Sequence, residues 1–434
     1  MAYFSSLMLL IAYIYSILKH PYIKQTKVFF ALFSLFTFRI ILSLNHEISF
    51  KPLFAGQSLN SIFSIFSIFI LFIFVKKEYF KFKLMIPFYL IIFSVLLSSV
   101  YSGEVMGGIV VAMKWLLVIV ATIAVLQLLK RYQTIDTLIP FYNIFIAILI
   151  SQFISLILHQ GKDTENLVSS SNSISYIAGY AHEGAFSILL FMGLFLSSLL
   201  VHFKRIRPII PTLFFIGLVI ANYRTTLISA VLPFIVIYIA YFYLGAKKDF
   251  KVFVFSAGLL SVTLISFLFG HSILDRFAEL GGAFTNLSEL MRIDYSLFTI
   301  EERRLLSSRL YLWNMYLTEF SNFSFAGSVF GAGPEVWDDF FEVYSHNTFI
   351  GVLFDLGFLG LTLLLFLLFK TLMISLTIKE LKLKIINVSF FIGFIILANS
   401  TMPLWAIEGL YFFAFIYAIF YHLSNITTNE CLAV

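Results

Sequence analysis

The sequence predicts an all-α polytopic membrane protein, and three observations carry that prediction. The chain is 60% hydrophobic, with a mean hydropathy of +0.97. Only 12% of its 434 residues are charged. Apolar blocks of about 17–25 residues recur from end to end, each long enough to cross a bilayer as a helix. A soluble protein of this length could not enclose so much apolar surface. The first block can itself direct insertion, so no cleavable leader is required.

Taken in order, the blocks give thirteen predicted spans, near 2–19, 27–44, 58–75, 84–100, 109–129, 137–159, 179–203, 208–222, 225–244, 252–270, 348–373, 385–399 and 403–422. Six linkers hold most of the 29 lysines and arginines: "KHPYIKQTK", "KKEYFKFK", "KRYQTID", "FKRIRP", "GAKKDFK" and the stretch from Lys370 to Lys384. If the spans alternate, all six fall on one side, which the positive-inside rule makes the cytoplasm. The N-terminus is then outside and the C-terminus inside. The net charge of +6 thus reports topology, and nucleic acid is not an expected partner. The lone cysteine, Cys431, excludes an intramolecular disulfide and a thiolate metal cluster.

The far side holds one large loop. It divides the chain into transmembrane helices with outward-facing site residues (1–270), the loop (271–346) and C-terminal transmembrane helices (347–434). The loop is too polar to span and too hydrophobic to be a disordered tether. Within it, "RRLLSSRLYLWNMYLTEF" puts Leu306, Leu310, Trp313 and Leu317 at helical spacing. This predicts an amphipathic helix lying on the membrane or roofing a cavity. In "FGAGPEVW", Gly331 and Gly333 can take positive φ in a tight turn that Pro334 ends. The loop is therefore expected to fold back over the bundle. Ser61, Ser64 and Ser67 of "SIFSIFSIFI" have the spacing of a close helix contact. No long internal duplication of the transporter kind is present.

Charges at membrane depth cost several kcal/mol and face protein or water. For Arg39, Lys114 and Glu408, in or near span ends, a structural role, as a buried ion pair or a snorkelling end, is the leading explanation. Arg224, in "ANYRTTLIS", stands at an outer helix start, where a guanidinium beside free N–H groups suits a phosphate. Arg309 begins the roofing helix and could reach back toward Arg224; two converging arginines without carboxylates call for an anion. His346 and Asn347, in "YSHNTFIGVLFDLGFLGL", precede a span. The helix dipole there keeps His346 neutral near pH 7, able to take a proton from a hydroxyl, while Asn347 or Thr348 caps the helix. Glu183, in "GYAHEGAFSILL", is expected one turn inside a span as a base, a sugar-hydroxyl acceptor or half of an ion pair. No HExxH or DxD accompanies it, so the expected mechanism uses no metal and no cofactor. The combined site suits a large anionic lipid with a polar head.

The order of "SRLYLWNMYL", "FGAGPEVW" and "SHNTFIGVLFDLGFLGL" resembles the conserved tract of the O-antigen polymerase and ligase superfamily. Arg309 and Trp313, Gly331 and Gly333, then His346, Asn347, Asp355, Gly357 and Gly360 stand at matching positions, and "YRTTLISA" supplies the matching Arg224. "GYAHEGA", with Glu183, resembles the turn of the Wzy-type polymerase branch; the ligase branch more often has Asn-Pro there. The resemblance implies a GT-C-like bundle that transfers glycan, with inversion, between undecaprenyl-diphosphate-linked oligosaccharides at the outer face of the bacterial inner membrane. It implies that Arg224 and Arg309 bind the diphosphate, that His346 or Glu183 is the base, and that Asp355 sets the His346-bearing helix. Undecaprenyl-diphosphate glycans and the bilayer are the implied partners, together with a chain-length regulator. A ligase acting on lipid A-core is the near alternative, and a lipid-glycan flippase is the alternative from another class.

Overall fold

The computed structural model describes residues 1–54, 56–133, 135–163, 174–243, 290, 292–305 and 308–426. Among the described residues, ten helices are long and apolar enough to cross a membrane, and two shorter ones are apolar as well. The protein is an all-α polytopic membrane protein; among the described residues, two short antiparallel strand pairs accompany the helices. The helices that build the bundle are α1 (Ala2–Lys19), α2 (Lys27–Leu44), α3 (Leu59–Phe74), α4 (Ile86–Ser102), α5 (Val105–Tyr132), α6 (Ile139–Ile157), α7 (Glu183–His202), α8 (Ile209–Ala221) and α9 (Arg224–Ile237). After them come α10 (Arg309–Ser321), α11 (Phe325–Phe330), α12 (Thr348–Leu376), α13 (Leu381–Ser400) and α14 (Ile407–Asn425). The predicted span at 252–270, the linker at 245–251, the loop from 271 to 289, Leu306 and Cys431 lie outside the described residues.

Burial orders the bundle. The α7 window is 94% buried and that of α14 is 83% buried, against 22% for α1, so α7 and α14 form the centre and α1 the rim. Both central helices are apolar on every side, as a fully enclosed helix must be. Gly193 lets α8 close on α7: a Cβ there would lie 2.3 Å from the Phe214 ring. In turn α14 packs on α5, α9 on α13, and α12 on α4.

Contacts between linkers fix which helix ends lie together. Arg205 pairs with Asp136 at 2.5 Å, the Tyr22 hydroxyl donates to the Asp136 carbonyl, and His202 lies 3.6 Å from Glu380. The Lys130 ammonium sits 4.6 Å over the Phe82 ring. Five of the six basic linkers therefore share one end of the bundle. At the opposite end, Gly179 packs against Ala2, Tyr180 bonds Glu408, and Gly107 packs on Pro334.

The described part of the loop folds back on α12, and glycines explain how. Helix α12 contains a break at Gly357 (φ 65°, ψ −167°), which withdraws the carbonyls of Phe354 and Asp355 from the helical ladder. Those carbonyls take the N–H groups of Ala332 (2.8 Å) and Gly333 (3.1 Å) instead, and Ser98 Oγ donates to Asp355 O at 2.8 Å. The backbones touch: a Cβ on Gly331 would lie 2.4 Å from the Asp355 carbonyl, and one on Gly357 would lie 2.3 Å from the Val329 oxygen. Gly331 (φ 82°) and Gly333 (φ 126°) both take the positive φ expected of them.

Helix α10 is not a one-faced surface helix. Leu310 packs with Leu290 and Phe298, while Tyr316 and Phe320 pack on another side with Phe341 and Phe354 of α12. It is wedged between two apolar clusters, so the spacing of Leu310, Trp313 and Leu317 marks only part of its buried surface. The serine repeat also divides. Ser67 is buried, whereas Ser61 and Ser64 line a cavity rather than a close helix contact.

Candidate functional site

At the end opposite the basic linkers, the N-termini of α7, α9, α10 and α12 meet. Each chain segment enters through an extended or left-handed residue that turns it into its helix. Asn222 (φ 55°) caps α8 just before Tyr223 and Arg224, Ser308 (φ 65°) precedes Arg309, and His346 itself has φ 49°. Left-handed backbone at non-glycine residues is strained and concentrates at functional sites. Glu183 is the first residue of α7, not one turn inside it.

Arg309 carries α10 to α9. Its Nη2 donates to Thr225 Oγ1 at 3.2 Å, and the guanidinium also donates to the Tyr223 hydroxyl oxygen. Its Nε is buried without a hydrogen-bond partner among the described residues. Arg224 opens α9 beside Thr225, so the two arginines that the sequence paired belong to adjoining helix starts. The contact that joins those starts is made to Thr225.

His346 stands behind Arg309. Its ring lies 4.1 Å from that of Tyr344, and its Nδ1 is buried without a partner among the described residues. Burial first, then the positive charge of Arg309, then His182, push its pKa down to about 4. The imidazole is therefore neutral at pH 7, with burial and the neighbouring cation as the main causes. Asn347 is the helix cap: its side-chain oxygen accepts from the N–H groups of Phe349 (2.9 Å) and Ile350 (3.2 Å), and its amide donates to Asn399 O. Trp313 donates its indole N–H to Ser345 O at 3.1 Å, which ties α10 to the residue before His346.

Glu183 completes the floor. It is 7% exposed, and its Oε2 has no hydrogen-bond partner among the described residues. Its negative charge acts on both Tyr223 and Tyr344. Burial above all raises both phenols, Tyr344 to about 12, so they are hydrogen-bond donors at neutral pH. His182 caps α7, its Nδ1 accepting from Gly184 N at 2.9 Å, and its ring lies 6.3 Å from Tyr223. Tyr223, Tyr344, Thr225 and His182 were not among the residues expected from sequence.

Asp355 lies outside this cluster, two turns along α12 and about 10 Å from its start at 1.5 Å per residue. Its carboxyl is buried near Glu335 and Lys114, which pair at 2.5 Å. Together with Gly331 and Gly333, it belongs to the clamp that holds the loop on α12. Arg39 and Glu408 pair with each other at 3.9 Å, with Ser43 and Tyr180 bonded into the pair. No family model and no curated protein matches this chain.

The arrangement has a defined chemical capacity. Four helix N-termini and a guanidinium favour a bound anion. A neutral imidazole beside them can take a proton, and two phenols and a carboxylate can hold hydroxyl groups.

Proposed function

We propose that the protein is a glycosyltransferase that polymerises lipid-diphosphate-linked oligosaccharide units at the outer face of a bacterial inner membrane. One observation carries the reading: a neutral histidine is buried next to an arginine where four helix N-termini converge. An acid or base site without an anion partner would not need Arg309, and a phosphate store would not need His346.

In the reaction, Arg309 and the start of α9, including Arg224, hold the donor diphosphate and offset the charge that grows on it as its bond to the anomeric carbon breaks. The acceptor hydroxyl attacks that carbon from the opposite face, which inverts it. A ring nitrogen of His346 takes the hydroxyl proton. Glu183, Tyr223 and Tyr344 position sugar hydroxyls. An imidazole with a pKa near 4 is a weak base, and the donor corrects this. A diphosphate on Arg309 replaces nearby positive charge with net negative charge, which raises the histidine's basicity once substrate is bound. By the positive-inside rule, the five clustered basic linkers support a reading in which the opposite end, and with it the site, faces away from the cytoplasm.

The cell-surface polysaccharide tests this reading. Cells lacking the protein should display lipopolysaccharide core bearing a single repeat unit and no ladder. Bare core with long chains accumulated on the lipid carrier would make the protein a ligase. Lipid-linked single units trapped on the cytoplasmic side would make it a flippase.

A further inference from the structure

Apart from the site around His346, a cavity of about 410 Å³ lies between α3 and α5 at the same end of the bundle. That is a ligand-sized volume. The residues 402–406 separate it from His346: Met402 packs on Gly351, while Trp405 lines the cavity. Its inner end is polar. Arg39 and Asn60 are only 8% and 5% exposed, yet Arg39 Nε and Asn60 Oδ1 have no hydrogen-bond partner among the described residues. The same holds for the indole nitrogen of Trp405. Ser61 and Ser64 add hydroxyl groups to the same wall. Its outer part is apolar and continues onto the exposed flank of the bundle, where Ile65 is 38% exposed and Ile109 is 51% exposed.

We infer that this groove binds an amphiphile whose saccharide head occupies the Arg39–Asn60–Trp405 end and whose hydrocarbon chain runs out between α3 and α5. The charges choose the head group. Lys114 on the wall is already paired with Glu335 at 2.5 Å, and Arg39 lies between Ser43 and Glu408. With both cations matched by carboxylates, the groove has no net charge to recruit a phosphate. The unsatisfied atoms are a mixture of donors and an acceptor, which hydroxyl groups can satisfy in both directions and a phosphate cannot. The two ends differ in polarity as the two ends of a glycolipid do. This binding does not depend on the transfer reaction proposed above.

The test uses the full chain in lipid nanodiscs and two photoreactive probes with the same diazirine-bearing alkyl chain, one ending in glucoside and one in phosphate. The glucoside probe should label residues 57–68 and 105–117 saturably, and unlabelled alkyl glucoside should compete. Asn60→Leu removes the acceptor, and Ile109→Trp fills the groove from an exposed position without touching the polar end. Each should raise the half-saturating concentration about tenfold, the scale of one buried hydrogen bond or one lost apolar contact surface. Unchanged thermal unfolding shows that either variant is folded; if one fails to fold, the other still decides. Preferential labelling by the phosphate probe would overturn the saccharide assignment. Labelling that does not saturate and is spread over all lipid-facing helices, or that is unchanged in a folded variant, would overturn the site itself.

Discussion

His346 and Arg309 set the electrostatics of the site between them, and their relation can be read in pH profiles. Burial and the neighbouring guanidinium hold the histidine near pKa 4 in the free protein, against 6.5 for an ordinary imidazole. Protonation therefore favours the unfolded chain. The histidine's share of stability is complete above pH 6.5 and is lost as pH falls toward 4. The acid limb of kcat/KM, which reports the free enzyme, should lie near pH 4, and that of kcat, which reports the complex, should lie at higher pH once diphosphate sits on Arg309. Coincident limbs near pH 6.5 would show that Arg309 and burial do not govern this imidazole. Arg309→Lys should lower turnover about 100-fold at normal protein levels, because an ammonium cannot present a planar fork to Thr225 and a phosphate together. Measured transfer at the wild-type rate would remove Arg309 from the site. Charged residues were legible in the sequence because they are rare in apolar blocks. Tyr223 and Tyr344 were not, because in a chain with 22 tyrosines and 54 phenylalanines nothing marks two of them.

Among the elements, the junction between the loop and α12 is the most exacting. Gly331 and Gly357 meet backbone to backbone, and the broken helix at Gly357 supplies the carbonyls that the loop needs. Gly331→Ala should therefore cost more than about 3 kcal/mol, combining left-handed strain with a contact no side chain can relieve. Gly103 shares the positive φ (84°) but lies in the milder left-handed helical well (ψ −1°) with nothing within 4 Å of a Cβ, so Gly103→Ala should cost only about 1 kcal/mol. Thermal unfolding of the two variants checks the difference, and equal shifts would mean that the loop does not dock through Gly331. The sequence announced positive φ at Gly331 and Gly333 through their turn context. It gave no sign that their partner was a break inside an apolar helix, because Gly357 lies in a run that reads as continuous span. In α10, similarly, periodicity marked the Leu310 side, while the burial of Tyr316 and Phe320 depends on Phe341 and Phe354, residues distant in the chain.

For the molecule as a whole, hydropathy located the described helices closely because length and apolarity are what a membrane demands of each segment separately. The shared end of five basic linkers follows from alternation alone. The convergence of four helix N-termini does not, since it depends on which helices are neighbours. Sidedness is testable by reporter fusions: one at residue 325 should behave as external, and ones at residues 80 and 205 as cytoplasmic, with the reverse pattern moving the site to the wrong face for the proposed substrate. The most direct measurement is polymerisation by the purified protein in lipid vesicles supplied with an undecaprenyl-diphosphate-linked repeat unit. Wild type should produce a ladder of lengthened chains and release undecaprenyl diphosphate, while His346→Ala should bind the same lipid and yield neither. A His346→Ala protein that builds the ladder at the wild-type rate would contradict the account.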